Sequence, residues 1–136
     1  WIPFLGWAMQ AAGHVFVDRR DHEKAMLSIN NIKDSLIKIP RSILIFPEGS
    51  RTNDGKVNKF KTGGLSIGIS ANISIVPVAI EGTFESLNKH SKKFINKLLT
   101  IKVGSPIDTR KYALEDRKDL AHFVNMEVKR LKNELN

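Results

Sequence analysis

Ile45-Phe46-Pro47-Glu48-Gly49-Ser50-Arg51-Thr52, written IFPEGSRT, stands at the end of the apolar run Ile43-Leu44-Ile45-Phe46. The run empties into a proline, a carboxylate, a glycine and an arginine, with hydroxyls at Ser50 and Thr52. Pro47 has no N–H to give to a ladder, so the strand predicted over Ser42–Phe46, apolar in the manner of strands buried on both faces, ends there. Ser50–Lys59 is polar and reads as a loop, with Asn53-Asp54-Gly55 as its turn.

Outward from this stretch, strand and helix signals alternate. His14–Val17 is a short strand candidate. Asp21–Lys38 follows as a helix, in which Ala25, Ile29, Ile32 and Leu36 recur on one face. Gly63–Asn72 reads as a helix weakened by its glycines. Ile73–Ile80 is a strand interrupted by Pro77, and Leu98–Val103 is another. A helix over Leu114–Leu135 closes the chain, with Leu120, Val124, Val128, Leu131 and Leu135 on one side. The alternation predicts an α/β fold with a layered, largely parallel sheet flanked by helices. Ligands of such sheets gather beyond the carboxyl ends of strands, where IFPEGSRT lies.

The chain has 136 residues, enough for one domain with a real core. It opens WIPFLGWAMQAAG, without an initiator methionine, and reads as a piece of a longer protein. Twenty-two Lys and Arg against 14 Asp and Glu give a net charge of +8, which favours phosphorylated metabolites, nucleic acid or an acidic membrane surface. With no cysteine there is no disulfide framework, Cys-based metal site or thiol nucleophile. No apolar run approaches the roughly 18 residues of a membrane-spanning helix. Trp1–Gly13 carries two Trp with Phe4, Leu5 and Met9, and reads either as a buried helix or as one resting on lipid.

Several chemistries compete for the loop. A Walker A pattern requires G-x-x-x-x-G-K-[ST]; here Asp54 stands five residues after Gly49 and Val57 follows Lys56, so register and hydroxyl both fail. Gly64-Leu65-Ser66-Ile67-Gly68 satisfies G-x-S-x-G, with Asp108 and His122 in hydrolase order. A nucleophile elbow, however, needs a strand directly before the serine. The third reading makes Arg51 an oxyanion ligand, because its rigid fork pairs two phosphate oxygens at once. Gly49 lets backbone approach a ligand, while Glu48 binds a substrate hydroxyl, holds an arginine, or is a solvated turn carboxylate. Arg19 ends the first strand and Lys61 precedes a glycine pair, so Arg19, Arg51 and Lys61 converge if their strands are neighbours. No stacking platform for nucleic acid is visible.

F-P-E-G-S-R resembles the third block, F-P-E-G-T-R, of the glycerolipid acyltransferases of the lysophosphatidic acid acyltransferase type. Gly13-His14-Val15-Phe16-Val17-Asp18-Arg19 resembles their second block, G-x-x-F-[IV]-x-R, and Ile75-Val76-Pro77-Val78 their fourth; Phe60, Lys61 and Gly63 fit the segment after the third. The blocks stand in order from Trp1 to about Gly82. The resemblance implies that Arg19, Glu48, Gly49, Arg51 and Lys61 bind the glycerol phosphate of the acceptor. It implies transfer of a fatty acyl group from acyl-CoA or acyl carrier protein to a lysophosphatidic acid-like hydroxyl in phospholipid biosynthesis. Neither a metal nor a further cofactor is implied. The expected location is the cytoplasmic face of an anionic membrane.

One block is missing. The family's catalytic H-x-x-x-x-D supplies a base for the acceptor hydroxyl and a carboxylate to orient it. Five residues after His14, His22, His90 and His122 stand Arg19, Leu27, Ile95 and Glu127, so none completes the pattern. In that family the catalytic block precedes the second block, so the resemblance implies a catalytic His and Asp upstream of Trp1, and residues 1–136 are read as a single acyltransferase domain fragment. His14 as a substitute base, and a non-catalytic anion- or membrane-binding module, are the alternatives.

Overall fold

A computed structural model describes Trp7, Leu36, Lys38, residues 42–88, Ser91 and residues 93–135. The chain divides into two compact units, Trp1–Ser42 and Ile43–Asn136. In the first, Trp7 is helical and exposed, Leu36 is helical and buried, and Lys38 is helical and exposed. Leu36 thus behaves as the predicted stripe requires. The strand His14–Val17, the rest of the helix Asp21–Lys38 and the remainder of Trp1–Gly13 lie outside the described residues.

The second unit is built on helix α1 (Thr62–Ala71), strand β1 (Val78–Glu81), the short helix α2 (Thr83–Ser86), strand β2 (Thr100–Val103) and helix α3 (Arg117–Asn133). Two 3₁₀ turns, Thr109–Lys111 and Leu114–Asp116, lead into α3. The predicted last helix is thus α-helical from Arg117, its first turn being wound more tightly.

α1 forms although it carries Gly63, Gly64 and Gly68, each costing about 1 kcal/mol against alanine. Burial offsets that cost: Leu65, Ile67 and Ile69 are all inside. Gly64 and Gly68 admit neighbours that a methyl would crowd, Ile45 at the first and Ile75 with Thr109 at the second. Asn72 ends the helix in the left-handed region, at φ 53°. The Ile73 N–H then reaches Gly68 O and the Asn72 N–H reaches Ile69 O, a Schellman closure. The buried Thr109 hydroxyl lies 3.0 Å from Gly68 O and 3.1 Å from Ile73 O, tying the same helix end to the first 3₁₀ turn.

The core joins Phe60, Leu65 and Ile69 to Leu120, Ala121 and Val124 of α3. Leu131 of the expected stripe is also buried, whereas Val128 and Leu135 are only half-buried. Burial of each large side chain contributes about 1.5–3 kcal/mol.

The described strands are fewer and shorter than the sequence predicts. β1 and β2 pair antiparallel, Val78 opposite Val103 and Glu81 opposite Thr100, and no parallel pair occurs among the described residues. Pro77 interrupts the predicted Ile73–Ile80 strand, leaving an antiparallel bridge of Ile75 to Ile107 on one side and β1 on the other. The expected burial of Ser42–Phe46 on both faces is corrected: the run joins no ladder, and Leu44 is 78% and Phe46 70% exposed. Only Ile45 turns inward, against Gly64. Apolarity marked the run as able to be covered, and covering needs neighbouring strands that the described residues do not provide.

Gly82 connects β1 to α2 at φ +87°, and a Cβ there would stand 2.1 Å from Leu98 O. Gly82→Ala therefore combines left-handed strain with a backbone clash and should cost at least about 2 kcal/mol. Urea unfolding checks this; an unchanged midpoint would show that the 82–98 contact is dispensable.

Candidate functional site

Pro47 and Glu48 occupy the corners of a β-turn closed by the Gly49 N–H on Phe46 O at 3.1 Å. Proline suits the first corner because its φ is already set. The chain leaves the turn through Gly49 at φ +73°, a conformation costly for a residue with a Cβ. It returns beside itself ten residues later. The Asn58 N–H donates to Glu48 Oε2 at 3.0 Å, and the Lys61 N–H donates to Pro47 O at 2.8 Å. These two bonds close Ser50–Lys59 as the loop that its composition predicted.

Within the loop, the Thr52 hydroxyl donates to Asp54 Oδ1 at 2.9 Å, and the same carboxylate oxygen accepts the Lys56 N–H at 3.1 Å. That backbone bond, followed by the Thr52 hydroxyl, holds the Asp54 carboxyl below the ordinary carboxylate range. Asn53-Asp54-Gly55 is thus a turn stabilised by its own side chain.

The Lys61 side chain lies across the turn. A Cβ on Gly49 would stand 3.1 Å from both Cε and Nζ of Lys61, so the bare glycine is what lets the ammonium settle there. Arg51 follows two residues after Gly49 and is exposed, as is Lys61. Glu48, Gly49 and Lys61 are therefore gathered at one turn that carries Arg51 on its exit. Arg19 and His14 lie outside the described residues.

Two residues that the sequence reading missed hold the loop to α3. Asn125, buried, donates through Nδ2 to Asn58 O at 2.7 Å. Lys132 donates through Nζ to Gly55 O at 2.6 Å and stands 3.1 Å from Glu81 Oε2, an ion contact that joins the loop to the end of β1. A signal for Asn125 existed: a polar side chain interrupts the stripe between Val124 and Val128. None existed for Lys132, one cation among many.

The hydrolase pattern is not assembled. Ser66 lies inside α1 and gives its hydroxyl to Gly63 O at 2.8 Å. Asp108 is committed to Arg110, whose Nε and Nη2 each lie 2.9 Å from a carboxylate oxygen. That pairing, with the Arg110 backbone N–H, lowers the Asp108 carboxyl to about 2. His122 is exposed on α3 beside Lys59, Phe60 and Lys118, and Glu127, five residues on, is bonded to Arg130. Among the described residues, no three His, Asp or Glu side chains are grouped to hold a metal ion, and no helix is long and apolar enough to cross a membrane.

The family model described as Acyltransferase matches residues 1–81, more than half of the chain. A 1-acyl-sn-glycerol-3-phosphate acyltransferase of Cocos nucifera is 31% identical over 126 residues, covering 93% of this chain and 40% of the relative. The Escherichia coli (strain K12) protein of the same description is 31% identical over 121 residues, covering 89% of this chain and 49% of its own length. The crystal structure of the 1-acyl-sn-glycerophosphate (LPA) acyltransferase PlsC from Thermotoga maritima superposes with a TM-score of 0.79 at 29% identity, over 98% of this chain and 52% of that one. The chain spans about half the length of the relatives it matches.

Asn125→Ala should leave Asn58 O without its partner, at a cost of about 1–3 kcal/mol, and should speed amide hydrogen exchange at Asn58 and Lys61. Unchanged exchange there would show that α3 does not anchor the loop. For Asp108, whose folded pKa is depressed from 3.8, any contribution to stability is present above 3.8 and is lost as pH falls through about 2. A carbon-detected NMR titration should find its midpoint near 2, and Arg110→Ala should return it toward 3.8. A midpoint that ignores Arg110→Ala would refute the pairing.

Proposed function

The chain belongs to the acyltransferase family, and from that premise we propose that it serves the transfer of a fatty acyl group from acyl-CoA or acyl carrier protein to a lysophosphatidic acid-like acceptor in phospholipid biosynthesis. The acceptor hydroxyl attacks the thioester carbonyl. An ester bond forms, the carbon–sulfur bond breaks, and the hydroxyl proton passes through a base to the departing thiolate. The similarity to 1-acyl-sn-glycerol-3-phosphate acyltransferases of Cocos nucifera and Escherichia coli supports the substrate class.

In this reading Arg19, Arg51 and Lys61 hold the acceptor phosphate, and Glu48 and Gly49 shape the turn that presents it. The observation that carries the assignment is the Lys61 ammonium folded over Gly49, two residues before Arg51. A phosphate dianion entering there would meet a fork and a point charge at a glycine-opened backbone. Glu48 acts through the backbone, since its carboxylate closes the loop on Asn58. The base is assigned to an H-x-x-x-x-D pair of the longer protein, a proposal supported by the absence of that pattern here and by the half-length match to relatives. A parallel, helix-flanked sheet is likewise proposed for that longer protein, as is attachment to the cytoplasmic face of an anionic membrane.

Thiol release from acyl-CoA, measured with lysophosphatidate on this chain and on one extended at its amino end, tests the reading. The chain has no cysteine to react with the thiol reagent. Activity confined to the extended chain is expected. Activity in the chain as it stands would reassign the base to one of its own histidines, and silence in both would favour a binding module. In the active form, Arg19→Ala and Arg51→Ala should each raise KM for the acceptor about ten- to hundred-fold, the cost of a lost hydrogen bond between charged groups, at unchanged thermal stability. Unaltered KM in both variants would remove the clamp.

A further inference from the structure

Between α2 and β2 the chain runs through Lys93-Phe94-Ile95-Asn96-Lys97-Leu98-Leu99, outside any helix or strand. The backbone is nevertheless held. The Ile95 N–H donates to Ser86 O at 2.8 Å, and Leu98 O presses against the Cα of Gly82, where no Cβ could fit. The side chains face away from the core: Phe94 is 69% and Leu98 86% exposed, and about half of Ile95 and Leu99 is uncovered. A segment whose backbone is fixed and whose largest apolar groups are displayed is a surface built to be covered.

Charge identifies what covers it. Between Glu85 and Asp108 the sequence contains Lys89, Lys92, Lys93 and Lys97, besides Lys102, which pairs with Glu134, and no acidic residue, so apolar and cationic groups are interleaved over the same stretch. A second copy of this face would set lysines against lysines without a carboxylate to relieve them. An anionic lipid surface answers both features, taking the Phe and Leu side chains at the acyl boundary while the lysine ammonium groups remain among the headgroups. We infer that Lys93–Leu99 is a lipid-docking surface, in which Phe94 and Leu98, each directly after a lysine, enter an anionic bilayer. The inference rests on the proposed function for its choice of lipid, since the acceptor is itself a lipid. It shares no residue with the Trp1–Gly13 segment or with the turn at Gly49.

The absence of native cysteine makes a site-specific probe straightforward. Leu98→Cys, Phe94→Cys and, as a control in the exposed 3₁₀ turn before α3, Glu115→Cys are each labelled with an environment-sensitive fluorophore. They are then mixed with vesicles of phosphatidylglycerol and phosphatidylcholine. Blue-shifted emission is expected at positions 94 and 98 and not at 115. Replacing Lys93 and Lys97 together by Gln should weaken vesicle partitioning about thirty-fold, from roughly 1 kcal/mol per lysine near an anionic surface. Three outcomes would overturn the proposal: probes at 94 and 98 that stay water-like while the protein floats with the vesicles, a shift that depends on protein concentration without lipid, or unchanged partitioning in the lysine variant. Acyl transfer by the extended chain is read in parallel. Activity retained with water-like probes would discard the docking surface and leave the function standing.

Discussion

The burial of Phe60 sets the geometry on which the candidate site depends. Its ring joins Leu65, Ile69, Leu120, Ala121 and Val124 in the core, and that fixes the register of the segment leading into α1. With Phe60 turned inward, Lys59 and Lys61 remain exposed on either side of it in sequence. Lys61 can then lie over Gly49 while its N–H closes on Pro47. Asn58 is placed to serve Glu48 with its N–H and Asn125 with its carbonyl. A one-residue slip would exchange the core aromatic for a lysine and dismantle all of these contacts, a cost far above that of any single hydrogen bond.

The loop after the turn is therefore tied down from three sides. Backbone pairing closes its neck, the Thr52 and Asp54 side chains order its tip, and Asn125 with Lys132 anchors it to α3. A loop of this length left to itself would carry many conformations, and a cation at its start would be poorly placed for an incoming dianion. Preorganisation lowers the ordering cost that a ligand would otherwise meet on binding. The terminal helix thus has a second role beyond core packing: its polar interruptions, Asn125 and Lys132, hold the loop.

Much of the local organisation was legible. The loop boundaries, the turn at Asn53-Asp54-Gly55, the interruption at Pro77 and the last helix follow from proline, glycine and periodicity, which act over a few residues. The cationic character of the turn was also readable, because FPEGSR is a short motif with its chemistry on its face. The direction of strand pairing was not, because an apolar run pairs equally well in either direction and only the path of the intervening chain decides. Burial of Ser42–Phe46 was misjudged for a related reason: hydrophobicity states a preference, and neighbours determine whether it is met.

From sequence alone come α1, β1, β2 and α3, the placing of a glycine and cations after an apolar run, the lack of cysteine and the basic balance, all of which depend on residue type and short spacing. Tertiary structure decided that Lys61 crosses Gly49, that Glu48 serves the backbone, that Ser66 is a helix residue, and that Phe94 and Leu98 are displayed while Phe60 is hidden. The physical reason is range. Propensity and turn chemistry are settled within a few residues, whereas a side chain's partner across the fold is chosen by packing among segments distant in the chain, as Asn125 is for Asn58 and Lys132 for Gly55.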